Sequence, residues 1–298
     1  MASIKTEMKW LILGGEGQLG RAMQAELAVS GINFVSCNHS QLDITSANEI
    51  AQTITEEHPS VVLNAAAWTN VDAAENAESS ARAVNAHGPD LLANACQAIN
   101  ARFVHISTDY VFSGISNKPW NENSTMDPVS AYGRTKAEGE LLVQRRYSSG
   151  SFIVRTAWLY SPWGRNFAKT MVGLALFGTD SVTVIHDQIG QPTSALDLAT
   201  QIHRMINADI SPGIYHGTNS GRATWFEFAQ YIFERSGTDP DRVIPVALAH
   251  FSRPATRPAY SVLSHQRWFD EGMDEMRDWR DALDEALPTI IDAVNLEH

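Results

Sequence analysis

The sequence predicts an α/β chain in which a doubly wound parallel sheet is followed by a smaller C-terminal lobe. Three observations predict it. Short apolar runs at 10–13, 34–36, 61–63 and 103–106 each end in turn residues or against a helical pattern. These runs are continuous rather than alternating, as expected of strands buried on both faces. Between them stand segments of helical spacing, such as Leu19-Met23-Leu27 and Ile50-Ile54, and strand–helix repetition builds parallel sheets with right-handed crossovers.

Composition narrows the function classes. A length of 298 residues suggests about two domains or one large unit. A 44% apolar, 19% charged chain has material for a sizeable core. The formal net charge of −12 argues against nucleic acid or an anionic membrane surface as a general partner, and still allows one local basic pocket for a phosphorylated ligand. Cys37 and Cys96 stand far apart with no CxxC, which argues against a disulfide framework or a Cys-based zinc site and fits a reducing cytoplasm. The histidines are scattered without an HExxH, so no metal is expected. No apolar run reaches the ~18 residues of a membrane span. The first nine residues are polar and too short for a signal peptide, and Leu296-Glu297-His298 reads as a cloning remnant outside the fold.

The first strand leads into Gly14-Gly15-Glu16-Gly17-Gln18-Leu19-Gly20, a GxxGxxG arrangement of Rossmann type. Gly14 would allow the tight turn, Gly17 the approach of backbone to a pyrophosphate, and Gly20 the packing of helix on strand. The following helix N-terminus would face the anion with free N–H groups. A purely structural loop is the alternative, and the strand–loop–helix placement favours cofactor binding. The second strand ends Ser36-Cys37-Asn38-His39-Ser40. It brings neither the acidic residue that holds both ribose hydroxyls nor an Arg for a 2′-phosphate. That leans towards NADPH with NADH also accepted, against a solvated turn that is silent on the choice. The third strand ends Asn64-Ala65-Ala66-Ala67, small residues that would let a ribose or flat ring lie close to backbone, or that simply pack.

The fourth strand ends Ser107-Thr108, and Tyr132 and Lys136 follow at helical i, i+4 spacing, which puts them on one face. An ordinary tyrosine, with a pKa of about 10, is a poor acid–base group near neutrality. A lysine ammonium beside it would lower that value towards the operating pH, and its charge must outweigh burial for the scheme to work. Thr108 would hold a substrate carbonyl oxygen in line with the phenol. Further strands are expected at 152–156, 182–185 and 213–216. Beyond about residue 160 the chain is irregular and richer in Pro and Gly, as in Ser161-Pro162-Trp163-Gly164, Gln191-Pro192-Thr193 and the stretch 252–258. We therefore divide it into a Rossmann unit, 1–160, completed by strands from the second half, and a non-contiguous substrate-side lobe, mainly 161–298.

Several stretches together resemble a known family. They are Gly17-Gln18-Leu19-Gly20, Leu42-Asp43-Ile44-Thr45, the run from Asn64-Ala65-Ala66-Ala67-Trp68-Thr69-Asn70 to Glu75, and Ser107-Thr108-Asp109-Tyr110-Val111-Phe112. Tyr132-Gly133-Arg134-Thr135-Lys136, Arg155-Thr156-Ala157-Trp158, Gly164-Arg165-Asn166-Phe167, Asp187-Gln188-Ile189-Gly190-Gln191-Pro192-Thr193 and Arg257-Pro258 complete the set. The chain resembles the extended short-chain dehydrogenases/reductases and, more narrowly, the dTDP-4-dehydrorhamnose reductase family, over nearly its whole length. The resemblance implies NAD(P)H contacts at Gly17, Gln18, Leu19, Asp43, Ile44, Ala67, Trp68, Thr69, Tyr132 and Lys136. It implies sugar contacts at Thr108, Asp109 and Trp158, and reduction of the C4 ketone of dTDP-4-dehydro-β-L-rhamnose by a cytoplasmic enzyme. Alternatives are a non-catalytic NADP-binding regulatory subunit and a reductase giving the C4 epimer. Some members bind Mg²⁺ through glutamates at a dimer interface. The matching positions here are Ala22 and Leu196, so neither that metal nor that dimer is expected, and the chain reads as a monomer or weak homodimer.

Other residues read more plainly. Arg165, Arg253 and Arg257 are candidates for the substrate diphosphate or are surface charges. Trp158 stacks on the sugar or fills core. Asp72 and Glu75 order the loop beside the nicotinamide or start a helix favourably. His105 reads as a satisfied core residue. Met273, Met276 and Trp279 read as the packing face of a C-terminal helix, with 281–285 as its solvated side.

Overall fold

The computed structural model describes residues 8–251 and 253–298. The polar N-terminal stretch, up to residue 7, and Ser252 of the Pro-rich stretch lie outside the described residues. The large sheet has six strands. They are β1 (Lys9–Leu13), β2 (Asn33–Cys37), β3 (Val61–Asn64), β4 (Arg102–Thr108), β5 (Ser151–Thr156) and the edge strand Gly213–His216. The spatial order is β2-β1-β3-β4-β5 and then Gly213–His216, and every pair is parallel. Strand order reverses between β1 and β3, so the crevice outside the carboxyl ends of those strands is the expected ligand site.

Alternation along β1 shows why the apolar runs are continuous. Trp10 and Ile12 pack on one face with Met23 and Leu27 of helix α1 (Gln18–Val29) and with Leu198, Ile202 and Met205 of the helix Ala195–Asn207. Leu11 and Leu13 pack on the other with Ile50 and Ile54 of α2 (Ala47–Glu57), Leu92, and Val143 of the helix Ala131–Tyr147. Both faces are covered, so neither parity of side chain is free to be polar.

A second core is built by the helices Phe167–Phe177, Trp225–Arg235 and Trp279–Asn295. A short parallel pair, Val182–Ile185 with Val243–Val246, closes this lobe. The second half of the chain also serves the first layer, because Gly213–His216 completes the large sheet and Ala195–Asn207 lies on α1. Two readings need correction. Met273 lies in a loop and Met276 in the strand Met276–Asp278, so only Trp279 belongs to the last helix; the methionines fill the large-sheet core instead. The acidic residues at 281–285 are not simply solvated, since Asp284 accepts from Tyr231 and Arg235, and Glu285 from Arg277. Among the described residues no helix is long and apolar enough to cross a membrane.

Candidate active site

The glycine loop is held by backbone. The Gly14 and Gly15 N–H groups both donate to the Cys37 carbonyl at 3.0 Å, and Gly14 adopts φ +79°, the left-handed turn that a side chain disfavours. A β-carbon on Gly14 would stand 2.7 Å from the Ala66 nitrogen, so the loop and the alanine run lie against each other. Gly20 has a different task from the one expected. Its β-carbon would fall 2.3 Å from the Gly14 carbonyl oxygen, so it seats α1 on the loop rather than on the strand, and it does not line the cleft. Helix α1 begins at Gly17 with no side-chain cap and no acid in its first turn. By contrast Ser46, Ser130, Asn166, Ser194 and Thr224 cap their helices. The first N–H groups of α1 are therefore offered to a ligand, as a pyrophosphate requires.

A cleft of ≈ 990 Å³ opens over the carboxyl ends of the strands. It is lined by Gly14, Gly17, Gln18, Leu19, Asn38, Asp43, Ile44, the run from Ala65 through Thr69, Thr108, Asp109, Tyr132, Lys136 and Trp158. Among the cofactor, catalytic and sugar residues read from sequence, Gly20 alone stays outside it, and of the further candidates Asp72, Glu75, Arg253 and Arg257 do not line it either. Local bonding shapes several of them. The Gln18 amide reaches Leu159 and Ser161, tying the loop to the second lobe. The Asp43 carboxylate accepts from the Thr45 amide and hydroxyl, which hold it below the usual carboxylate range.

At the chemical end, Ser130 caps the helix that carries Tyr132, and Glu75 accepts from the Ala131 N–H at 2.8 Å. Asp72 accepts from Arg257 at 2.8 Å and 3.1 Å, so both acids order segments around the cleft; Asp72 also lies in the first turn of the short helix Val71–Ala74, whereas Glu75 is its C-cap and does not start it. Gly133 explains the Tyr-Gly pair: its β-carbon would lie 2.3 Å from the Tyr110 carbonyl oxygen, so glycine lets the helix press onto the turn after β4. The Thr108 hydroxyl acts on the Tyr132 phenol and donates to Asp109 Oδ1 at 3.0 Å. Lys136 is buried and its ammonium donates to the Ile106 carbonyl at 2.6 Å.

The balance between charge and burial is settled differently from the expectation. Burial pushes the Tyr132 phenol up to about 12, and the Thr108 hydroxyl opposes this only in part. Burial likewise pulls Lys136 down to about 8, against the field of Glu140. The ammonium is committed to a carbonyl rather than to the phenol, so Tyr132 keeps its proton at neutrality. A proton donor needs that state.

Two buried polar atoms lining the cleft have no protein partner, Oδ2 of Asp109 and Oγ1 of Thr156. Burial raises the Asp109 carboxyl to about 6, against the Thr108 hydroxyl that donates to its Oδ1 at 3.0 Å. Such orphans fit a polyhydroxylated ligand, since buried polar groups are normally paired. Trp158 lines the cleft with φ +46°, but Trp225 covers one face of its indole, 3.5 Å away and nearly parallel. Only the rest of the ring is left to meet a sugar.

Of the three arginines, Arg165 lines the cleft, while Arg257 is engaged by Asp72 and exposed Arg253 sits over Phe251. Ala22 is buried and Leu196 packs against the same core between α1 and Ala195–Asn207. Among the described residues no three His, Cys, Asp or Glu side chains are grouped to hold a metal. His105 is only half satisfied: its Nδ1 meets the Asn64 amide at 3.2 Å and its Nε2 has no partner.

Sequence reading missed four contributors. Asn85 clamps the Trp68 backbone by its N–H and its carbonyl, at 2.9 Å and 3.1 Å, and also bonds Thr135. Thr156 and Trp225 line the cleft beside Trp158, and Glu16 reaches Asn38 at 2.8 Å. The last corrects the statement that no acid is available at the end of β2: none follows the strand, but one arrives from the glycine loop. A polar residue inside that loop was the one signal that could have pointed to it.

The chain matches the family model described as the RmlD substrate binding domain over residues 8–291. It is 43% identical to a probable dTDP-4,6-dihydroxy-2-methyloxan-3-one 4-ketoreductase of Streptomyces antibioticus, covering 96% of this chain and 97% of that one. It is 41% identical to a dTDP-4-dehydrorhamnose reductase of Streptomyces griseus, over 95% and 94%. A crystal structure of dTDP-4-dehydrorhamnose reductase from Bacillus anthracis in complex with NADP superposes with a TM-score of 0.90 at 35% identity, covering 95% of this chain and 99% of that one.

Proposed function

The chain belongs to the RmlD substrate binding domain family, and on that premise we propose that it reduces the C4 ketone of dTDP-4-dehydro-β-L-rhamnose to the alcohol of dTDP-β-L-rhamnose. The observation that carries this reading is the meeting of Thr108, Tyr132 and Lys136 with the uncapped start of α1 in one cleft. NADPH, with NADH as an alternative, supplies the hydride when bound. The glycine loop and the first turn of α1 would hold its pyrophosphate, and Lys136 its nicotinamide ribose. Tyr132 gives its phenolic proton to the carbonyl oxygen, and Thr108 keeps that oxygen in line. Asp109 and Thr156 would take sugar hydroxyls, and Arg165 the diphosphate. The division near residue 160, cytoplasmic residence and a monomer or weak homodimer belong to the same reading.

An assay supplying dTDP-4-dehydrorhamnose, followed by NADPH absorbance and product identification, tests it. One equivalent of NADPH oxidised per dTDP-rhamnose formed is expected. The likeness to a deoxysugar 4-ketoreductase favours one second reading, reduction of a related dTDP-4-keto sugar, including one that gives the C4 epimer; the same product analysis separates the two. A non-catalytic NADP-binding subunit would have no use for the intact Thr108, Tyr132 and Lys136 set.

The alanine and leucine at the family's Mg²⁺ positions carry a further prediction. Exhaustive chelation should leave the rate within about twofold, because neither Ala22 nor Leu196 offers a ligand atom. A large loss restored by Mg²⁺ would show the reasoning wrong.

A further inference from the structure

Glu16 has no task in the mechanism above, yet its place is well defined. Its Oε1 accepts from Nδ2 of Asn38 at 2.8 Å, and both side chains line the same end of the cleft. The Asn38 amide is not free to turn away. Its Oδ1 takes the Ser40 and Gln41 N–H groups and the Ser40 hydroxyl at 3.0, 3.1 and 2.8 Å, which aims the NH₂ at Glu16. The loop is equally fixed, since Gly15 donates to the Cys37 carbonyl at 3.0 Å and its β-carbon would stand 1.9 Å from the Ser36 hydroxyl oxygen. Doubly wound folds read the ribose 2′ position at the end of the second strand. Here the strand itself brings an amide there, and the glycine loop brings a carboxylate to that amide.

We infer that Glu16 narrows the preference for NADPH over NADH, accepting a hydrogen bond from the ribose hydroxyl of NADH and repelling the 2′-phosphate of NADPH, which the cleft still admits. The inference rests on the cleft being an NAD(P) site, and it gives this chain a discriminating group that the strand end lacks. Neighbouring charges do not replace it. The Asp43 carboxylate is committed to Thr45. Arg21 donates to the Glu16 carbonyl at 3.1 Å and does not line the cleft. His39 does line it, and it is common to wild type and variant, so it does not enter their comparison.

The test is a binding titration of wild type and Glu16→Gln with NADPH and with NADH at pH 8 and low salt, read by calorimetry. The variant should bind NADPH about tenfold more tightly relative to NADH, a shift of about 1.4 kcal/mol. Added salt should move the wild-type ratio towards that of the variant, because Glu16 is exposed and its field is screened. If both nucleotides bind and the ratio is unchanged in the variant, the role of Glu16 is overturned and the cofactor site stands. If wild type binds neither nucleotide, both readings fall.

Discussion

Replacing Tyr132 by Phe is expected to lower kcat by about 10²–10⁴-fold, the usual worth of a positioned general acid. The substitution removes one oxygen and keeps the ring, whose edge-to-face packing on Tyr110 at 5.6 Å survives, so NADPH affinity should change little. Lys136→Met should damage turnover and binding together, because the ammonium lines the cofactor cleft. The pH profile separates the two groups. Lys136 lies near 8 and Tyr132 near 12. The active form needs both protonated, so kcat/KM should be full below about pH 7, half-maximal near pH 8, and fall further as Lys136 loses its proton. Lys136→Arg should move that alkaline limb upward, whatever it does to the rate. A Tyr132→Phe enzyme with near wild-type turnover would remove this mechanism and bring forward the regulatory-subunit reading.

The largest expected effect on stability lies one layer below the site. Arg155, in β5, is buried and donates to Glu140 through Nε and Nη2 at 2.9 Å and 2.7 Å, and to the Glu122 carbonyl at 3.1 Å. Ser107 donates to the same Glu140. Glu140→Leu would leave the guanidinium buried without its counter-charge, at a cost of about 3–5 kcal/mol. Urea unfolding should show this as a lower midpoint at constant slope. The double variant Glu140→Leu/Arg155→Met should recover much of the loss, since a buried pair replaced by apolar groups of similar volume is often neutral. A double variant as unstable as the sum of its single variants would show that the pair is not the source.

Legibility in the sequence followed the range of the interaction. The strand runs were legible because burial on both faces leaves no polar position within them. Tyr132 and Lys136 were legible because i, i+4 spacing is set within one helix. The catalytic balance was not, because the field at Tyr132 depends on how deeply Ala131–Tyr147 sinks beneath the turn after β4. Met273 and Met276 were misread because their apolar spacing suits a helix, and the strand pairing Asn219–Ser220 with Met276–Asp278 overrode it.

The doubly wound layer, the glycine turn and the pairing of Tyr132 with Lys136 were legible without the fold, because each rests on local backbone geometry or on periodicity within one element; Thr108, at the end of β4, joins them only across the cleft. Tertiary structure alone decided which groups join that set. Glu16 meets Asn38 across 22 positions, Asn85 meets Thr135 across 50, and Arg257 meets Asp72 across 185. No periodicity encodes contacts of that range; they form only when the sheet brings its loops together at one edge. The same packing decided the charge states, because burial acts on an ionisable group through everything that displaces water around it.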